Sequence, residues 1–208
     1  MIKYLVSILL LTMFSTGWSL SAKSYLLEMR VLDASGRPFI SHREDKPFGS
    51  YLIMDIDYLP IQRLFEQVRN REKNLITRGE AHITVVTPPE FDQILKPAGV
   101  TMNEVEQIAQ VSKIQQTPFE VVCLGMGKAK LDGTEQSTYY VVVRAPGLVR
   151  IREKIQKIFI KRGGNPADFK PEHFWPHITV GFTKRDLYES DGVLKDIKTC
   201  VSKIKLVN

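Results

Sequence analysis

The chain has 208 residues, 43% hydrophobic and 25% charged, with a formal charge of +6. That length fits one ordinary domain or two small lobes sharing a core, and that composition excludes a disordered or fibrous protein. A basic excess of this size suits an anionic partner such as a nucleotide or RNA, although solubility alone accounts for it equally well.

The chain opens with Met1-Ile2-Lys3, runs almost continuously apolar from Tyr4 to Phe14, and then brings in small residues from Ser15 to Ala22. Charge, apolar run and small residues, in that order, read as a secretory signal peptide cut near Ser21 or Ala22. The apolar run is shorter than the roughly 20 residues of a spanning helix. The expected organisation is therefore a signal peptide over 1–21 and one domain over 22–208, located outside the cytoplasm as a secreted or periplasmic protein. Losing Lys3 with the signal leaves a charge of +5.

After the signal, Tyr25 to Leu32 and Ser50 to Ile56 read as strands around a polar loop at Gly36-Arg37-Pro38. Ile61, Leu64, Phe65 and Val68 mark the apolar face of a helix from about Pro60 to Lys73, and Glu80 to Val86 is a strand. Thr87 followed by two prolines and Glu90 is a helix start, and Thr101 with Glu104 repeats the capping pattern for a helix over Met102 to Val111. Phe119 to Leu124 and Lys128 to Leu131 follow as strands, with Gly125 and Gly127 permitting a bend. Ser137 to Arg144 is a strand, and Leu148, Ile151, Ile155, Ile158 and Phe159 give a helix up to Gly163. A strand over His177 to Phe182, a short helix near Val193 to Thr199 and a closing strand near Val201 to Val207 complete the chain. Strands that often follow strands point to an α+β fold with antiparallel sheets. Cys123 and Cys200 pair in an oxidising compartment or remain free and buried; both readings stand.

The tetrapeptide His-Ile-Thr-Val occurs twice, at His82 to Val85 and at His177 to Val180, each time in a strand that follows a strand-helix run. A single such peptide is ordinarily structural. Two copies anchored on histidine in matched surroundings, in a chain with four histidines, point to two related half-domains. Side chains alternate along a strand, so each copy sets an imidazole and a hydroxyl on one face and buries its aliphatics on the other. If the halves pack about a pseudo-two-fold axis, both pairs share one cleft. One imidazole then accepts a proton while the other donates one, and the hydroxyls hydrogen-bond a phosphate, with no metal or other cofactor required.

These two segments, Gly79 to Val85 and Trp175 to Phe182, resemble the 2H phosphoesterase superfamily, which includes RNA 2',3'-cyclic phosphodiesterases and 2'-5' RNA ligase-like proteins. The resemblance implies a bilobal α+β fold, two pseudo-symmetric lobes whose antiparallel sheets line a central cleft with helices outside. It also implies metal-independent opening or hydrolysis of a cyclic phosphate or 2'-5' linkage. His82 and His177 are then the acid and base, and Thr84 and Thr179 the phosphate ligands. The partners are a nucleotide or RNA, not DNA; the protein is a monomer with no stable membrane association after signal cleavage. Arg78, Trp175, Phe182 and Lys184 flank the motifs as further substrate contacts. Of Tyr139 and Tyr140, alternating on a neighbouring strand, one reaches a base and one the core, with Tyr139 the candidate contact. Glu80 shares the face of His82 and can orient its ring. Two rivals accompany this reading: a binding module that holds a phosphorylated ligand without turnover, and a metal-dependent hydrolase in which His173 joins His82 and His177. His42, in a polar loop, is expected to be exposed.

Overall fold

Alternating aliphatic residues build the centre of the molecule, and they do so in more than one strand at once. The computed structural model describes residues 24–208; the signal-peptide reading of residues 1–21 lies outside them. The strands are Tyr25–Glu28 (β1), Leu52–Asp55 (β2), His82–Val86 (β3), Glu120–Leu131 (β4), Thr134–Arg144 (β5), His177–Phe182 (β6), Cys200–Ser202 (β7) and Ile204–Val207 (β8). Six of them form one sheet in the order β2-β3-β6-β5-β4-β7, paired antiparallel throughout, while β1 and β8 pair parallel beside it. The helices are Tyr58–Arg69 (α1), Pro88–Glu90 (α2), Met102–Val111 (α3) and Pro146–Lys161 (α4). None among the described residues is long and apolar enough to cross a membrane. The fold is α+β.

Both motif strands close a strand-helix-strand run, β2-α1-β3 and β5-α4-β6. Helix α1 packs on β6 and α4 on β3, so each run's helix covers the other run's motif strand. The resemblance implied sheets on two sides of a cleft. Instead β3 and β6 are direct neighbours in one sheet, with Ile83 opposite Ile178. The physical reason lies in the motifs: Ile83, Val85, Ile178 and Val180 are all fully buried in one core, and pairing their strands merges two apolar faces into one.

Local sequence explains most element ends. Thr87 with Glu90 and Thr101 with Glu104 each complete a reciprocal capping box. Asp57 caps α1 through the Leu59 amide, which starts that helix two residues before Pro60. Three readings change. The first strand stops at Glu28 and gives way to a 3₁₀ turn, Met29–Leu32. The fragments around Gly125 and Gly127 are one strand, β4, joined to β5 through Asp132 and Gly133, both at positive φ (51° and 77°). That is the two-residue hairpin geometry favoured by Asp-Gly. A Cβ at Gly125 would lie 2.5 Å from the Tyr140 ring, so glycine is what lets this tyrosine lie across β4. The helix expected near Val193 to Thr199 shrinks to a 3₁₀ turn, Ile197–Thr199. Cys123 and Cys200 form a disulfide, Cα atoms 5.8 Å apart, which ties β7 and the segment before it to β4.

Arg152, on α4 and 1% exposed, holds the two motif strands in place. Its guanidinium donates to the Val85 carbonyl on β3, to the Pro171, Lys170 and His173 carbonyls leading into β6, and to Glu90. Arg152→Met keeps the volume but leaves these acceptors unpaired, and should cost roughly 3–5 kcal/mol. A urea unfolding curve checks this; a loss within 1 kcal/mol would show that the guanidinium is dispensable.

Candidate functional site

Antiparallel pairing of β3 with β6 decides where the motif side chains meet. Extending the Ile83–Ile178 pair by one residue each way sets His82 opposite Thr179 and Thr84 opposite His177, all on the face away from the core. The two imidazoles are diagonal neighbours, their backbones roughly 7–8 Å apart. On the flanking strands, Asp55 pairs with His82, and Val142 and Tyr140 pair with His177 and Thr179.

Beneath this face lies a carboxylate that the motif pattern did not announce. Asp186 is 3% exposed and follows β6 in a turn. Its Oδ1 accepts from Thr138 at 2.6 Å and from Lys195 Nζ at 2.8 Å. Its Oδ2 accepts from Thr179 at 3.0 Å and from Arg78 at 3.3 Å. Lys195, itself 5% exposed, also donates to His177 Nε2 at 3.1 Å. On the other side of that ring, Nδ1 lies 2.8 Å from the Trp175 carbonyl, which can only accept, so the proton sits on Nδ1 and Nε2 carries the lone pair. Tyr140 meets the His177 ring edge-on at 5.7 Å.

Electrostatics follow from burial and from these cations. Burial pushes the His82 imidazole down to about 4, helped by the charge of Arg78. His177 is lowered as well, first by burial and then by the Lys195 ammonium. For Asp186, burial alone would raise the carboxyl. The charges of Lys195 and His177 and the hydrogen bonds from Lys195 and Thr138 outweigh it and keep the group ionised. Burial lowers the Lys195 ammonium, and Asp186 opposes that. At neutral pH the face therefore presents two neutral imidazoles among two basic side chains, Arg78 and Lys195, and two carboxylates, Asp186 and Glu80, with the basic pair the groups that can meet an anionic ligand.

Other candidates find various places. Arg78 reaches the site, donating to Asp186 and to the Tyr188 hydroxyl at 2.9 Å. Its guanidinium lies 6.0 Å from the Phe182 ring. Phe182 lies five residues after His177, so unbroken strand alternation would set it on the opposite face. A bulge in the β5–β6 register, where Tyr139 pairs with Gly181 but Tyr140 with Thr179, reverses the parity and brings Phe182 opposite Thr138. Tyr139 is corrected: it is 6% exposed in the main core, and Tyr140 is the one on the site face. Lys184 pairs with Asp132 at 2.7 Å, at the β4–β5 turn. Trp175 contributes its carbonyl, while its ring packs against His173 at 4.3 Å. His173 turns to Glu189 at 3.3 Å rather than joining the motif imidazoles. No three His, Cys, Asp or Glu side chains converge as metal ligands among the described residues. Glu80 Oε1 stands 3.6 Å from His82 Nδ1. His42 is half-buried and stacked on Tyr51 at 4.3 Å, not exposed.

Asp186 and Lys195 had no signal of their own in the sequence. One follows a basic turn and the other belongs to a scattered basic stretch, with no period to tie either to a motif. The family model of the Swiss Army Knife 2H phosphoesterase domain matches residues 50–188, a span that holds both motifs and Asp186 but ends before Lys195. Comparisons with curated proteins and with solved structures found no match.

The lowered His82 has a consequence for stability. Its ordinary value is 6.5 and its folded value about 4, so between those pH values the unfolded chain binds more protons. Stability from this group is complete above pH 6.5 and is lost as pH falls toward 4, by roughly 2–3 kcal/mol at pH 4.5. Urea unfolding at pH 7 and 4.5 should show a larger drop for the wild type than for His82→Gln. Equal drops would mean that the imidazole is not held neutral by the fold.

Proposed function

The chain belongs to the 2H phosphoesterase family, and from that premise we propose that it is an exported, metal-independent phosphodiesterase. Its substrate is a 2',3'-cyclic phosphate or 2'-5' linkage of a nucleotide or RNA. The observation that carries the reading is the pairing of β3 with β6, which sets both motif imidazoles on one face beside Arg78 and Lys195. The Cys123–Cys200 disulfide supports export, since such bonds persist in oxidising compartments.

The tautomer of His177 divides the labour. With its Nδ1 proton directed at the Trp175 carbonyl, Nε2 is the basic nitrogen and takes the proton of the attacking water. The water oxygen bonds to phosphorus and the bond to one ribose oxygen breaks. Protonated His82 then delivers its proton to that leaving oxygen. Thr84 donates a hydrogen bond to a non-bridging oxygen, and Thr179 does so by turning its hydroxyl away from Asp186. The contact of Lys195 with His177 Nε2 favours one second reading, a cleft that holds a phosphorylated ligand without turning it over.

Hydrolysis of 2',3'-cyclic nucleotides by chelator-treated protein is the test. His82→Ala and His177→Ala should each lower kcat/KM by roughly 10²–10⁴-fold. Wild-type rates in both variants would end the acid–base reading, and tight binding without turnover would establish the second one. The pH profile checks the division of labour. Because His82 must be protonated and titrates at about 4, log kcat/KM should fall with a slope near −1 from pH 5 to 8. A profile flat across that range would contradict it.

A further inference from the structure

Thr179 poses a difficulty that the motif alone conceals. A hydroxyl has one proton, and that of Thr179 is directed at Asp186 Oδ2. The four acceptor positions of this carboxylate are filled by Thr138, Thr179, Arg78 and Lys195. The group at that end of the site with charge and protons to spare is Lys195. Among the described residues two of its three N–H bonds find acceptors, Asp186 Oδ1 and His177 Nε2, and its ammonium lies 5.4 Å over Tyr140 and 5.7 Å over Tyr188. Its stretch of chain is anchored as well. Val193 packs where a Cβ on Gly127 would lie 2.3 Å from its Cγ1, and the disulfide fixes Cys200 five residues on.

We propose that Lys195 is a phosphate ligand that also caps the base: when a phosphate enters, the ammonium keeps its bond to Asp186 and moves its other bond from His177 Nε2 to a non-bridging oxygen. Without an anion, His177 Nε2 is occupied and cannot take a proton from water. With one bound, the same movement frees that nitrogen and places positive charge where the transition state gathers negative charge. Asp186 is the positioning residue that holds the lysine on its short path. The proposal rests on the phosphodiesterase reading for its substrate but concerns anion binding, which is measured separately.

The experiment uses the full chain, inorganic phosphate as the probe, and ¹⁵N resonances of the histidine rings. In the wild type, phosphate should shift the His177 Nε2 resonance as the lysine leaves it. In Lys195→Met, phosphate affinity should fall by about 10- to 100-fold, the worth of a charge-assisted hydrogen bond. Lys195→Met leaves a buried carboxylate without its cation, so the double variant Lys195→Met with Asp186→Asn removes both charges and serves if the single one does not fold. Phosphate affinity in the folded double variant equal to that of Asp186→Asn alone, or an unmoved Nε2 resonance at saturating phosphate, overturns the proposal. If the wild type shows the Lys195-dependent binding but hydrolyses no cyclic nucleotide, the ligand role stands and the catalytic reading falls. If histidine variants abolish turnover while Lys195→Met leaves turnover and phosphate affinity unchanged, the reverse holds.

Discussion

A carboxylate taken out of water must be satisfied on every side, and Asp186 is satisfied by four separate parts of the chain. Thr138 comes from β5, Thr179 from β6, Arg78 from the approach to β3, and Lys195 from the segment beyond Gly192. Removing any donor would leave a buried acceptor unpaired, and removing the carboxylate would leave the lysine uncompensated. This one group therefore couples both motif strands and both cations of the site. It also explains how a lysine can be buried against a histidine: the ion pair offsets the loss of water around the ammonium.

The sheet makes that convergence possible. With β3 and β6 as neighbours, α1 and α4 cross onto each other's motif strand, so neither run can keep its apolar face covered without the other. Arg152 adds a polar lock on the same arrangement, bonding β3 through Val85 and the approach to β6 through three carbonyls. The candidate site lies on one face of a sheet whose other face is fully packed, beside a second buried cluster of Cys123, Tyr140 and Val142. Its geometry is thereby set by the core rather than by flexible loops.

Neutral imidazoles and nearby cations are two effects of one environment. Burial disfavours charge on both rings, and Arg78 and Lys195 reinforce that while making the face attractive to anions. An arriving phosphate supplies negative charge beside the same rings and so favours their protonation. Anion binding and imidazole protonation are thus linked through one electrostatic balance.

Much of this was legible in the residues. The alternation in His-Ile-Thr-Val by itself determined that His82 and Thr84 share a face, as do His177 and Thr179, because a period of two is a property of extended backbone. The capping boxes at Thr87 and Thr101 set their helix starts by purely local hydrogen bonds. What those residues could not express is which strands lie side by side. The bulge that reverses Phe182, the glycine at 125 that makes room for Tyr140, and the burial of Tyr139 all depend on register between strands far apart in the chain. Asp186 and Lys195 sit in irregular segments, where no periodicity reports which way a side chain turns. Only tertiary packing closed water away from them, and that closure is what turned an ordinary aspartate and an ordinary lysine into the charged floor of the site.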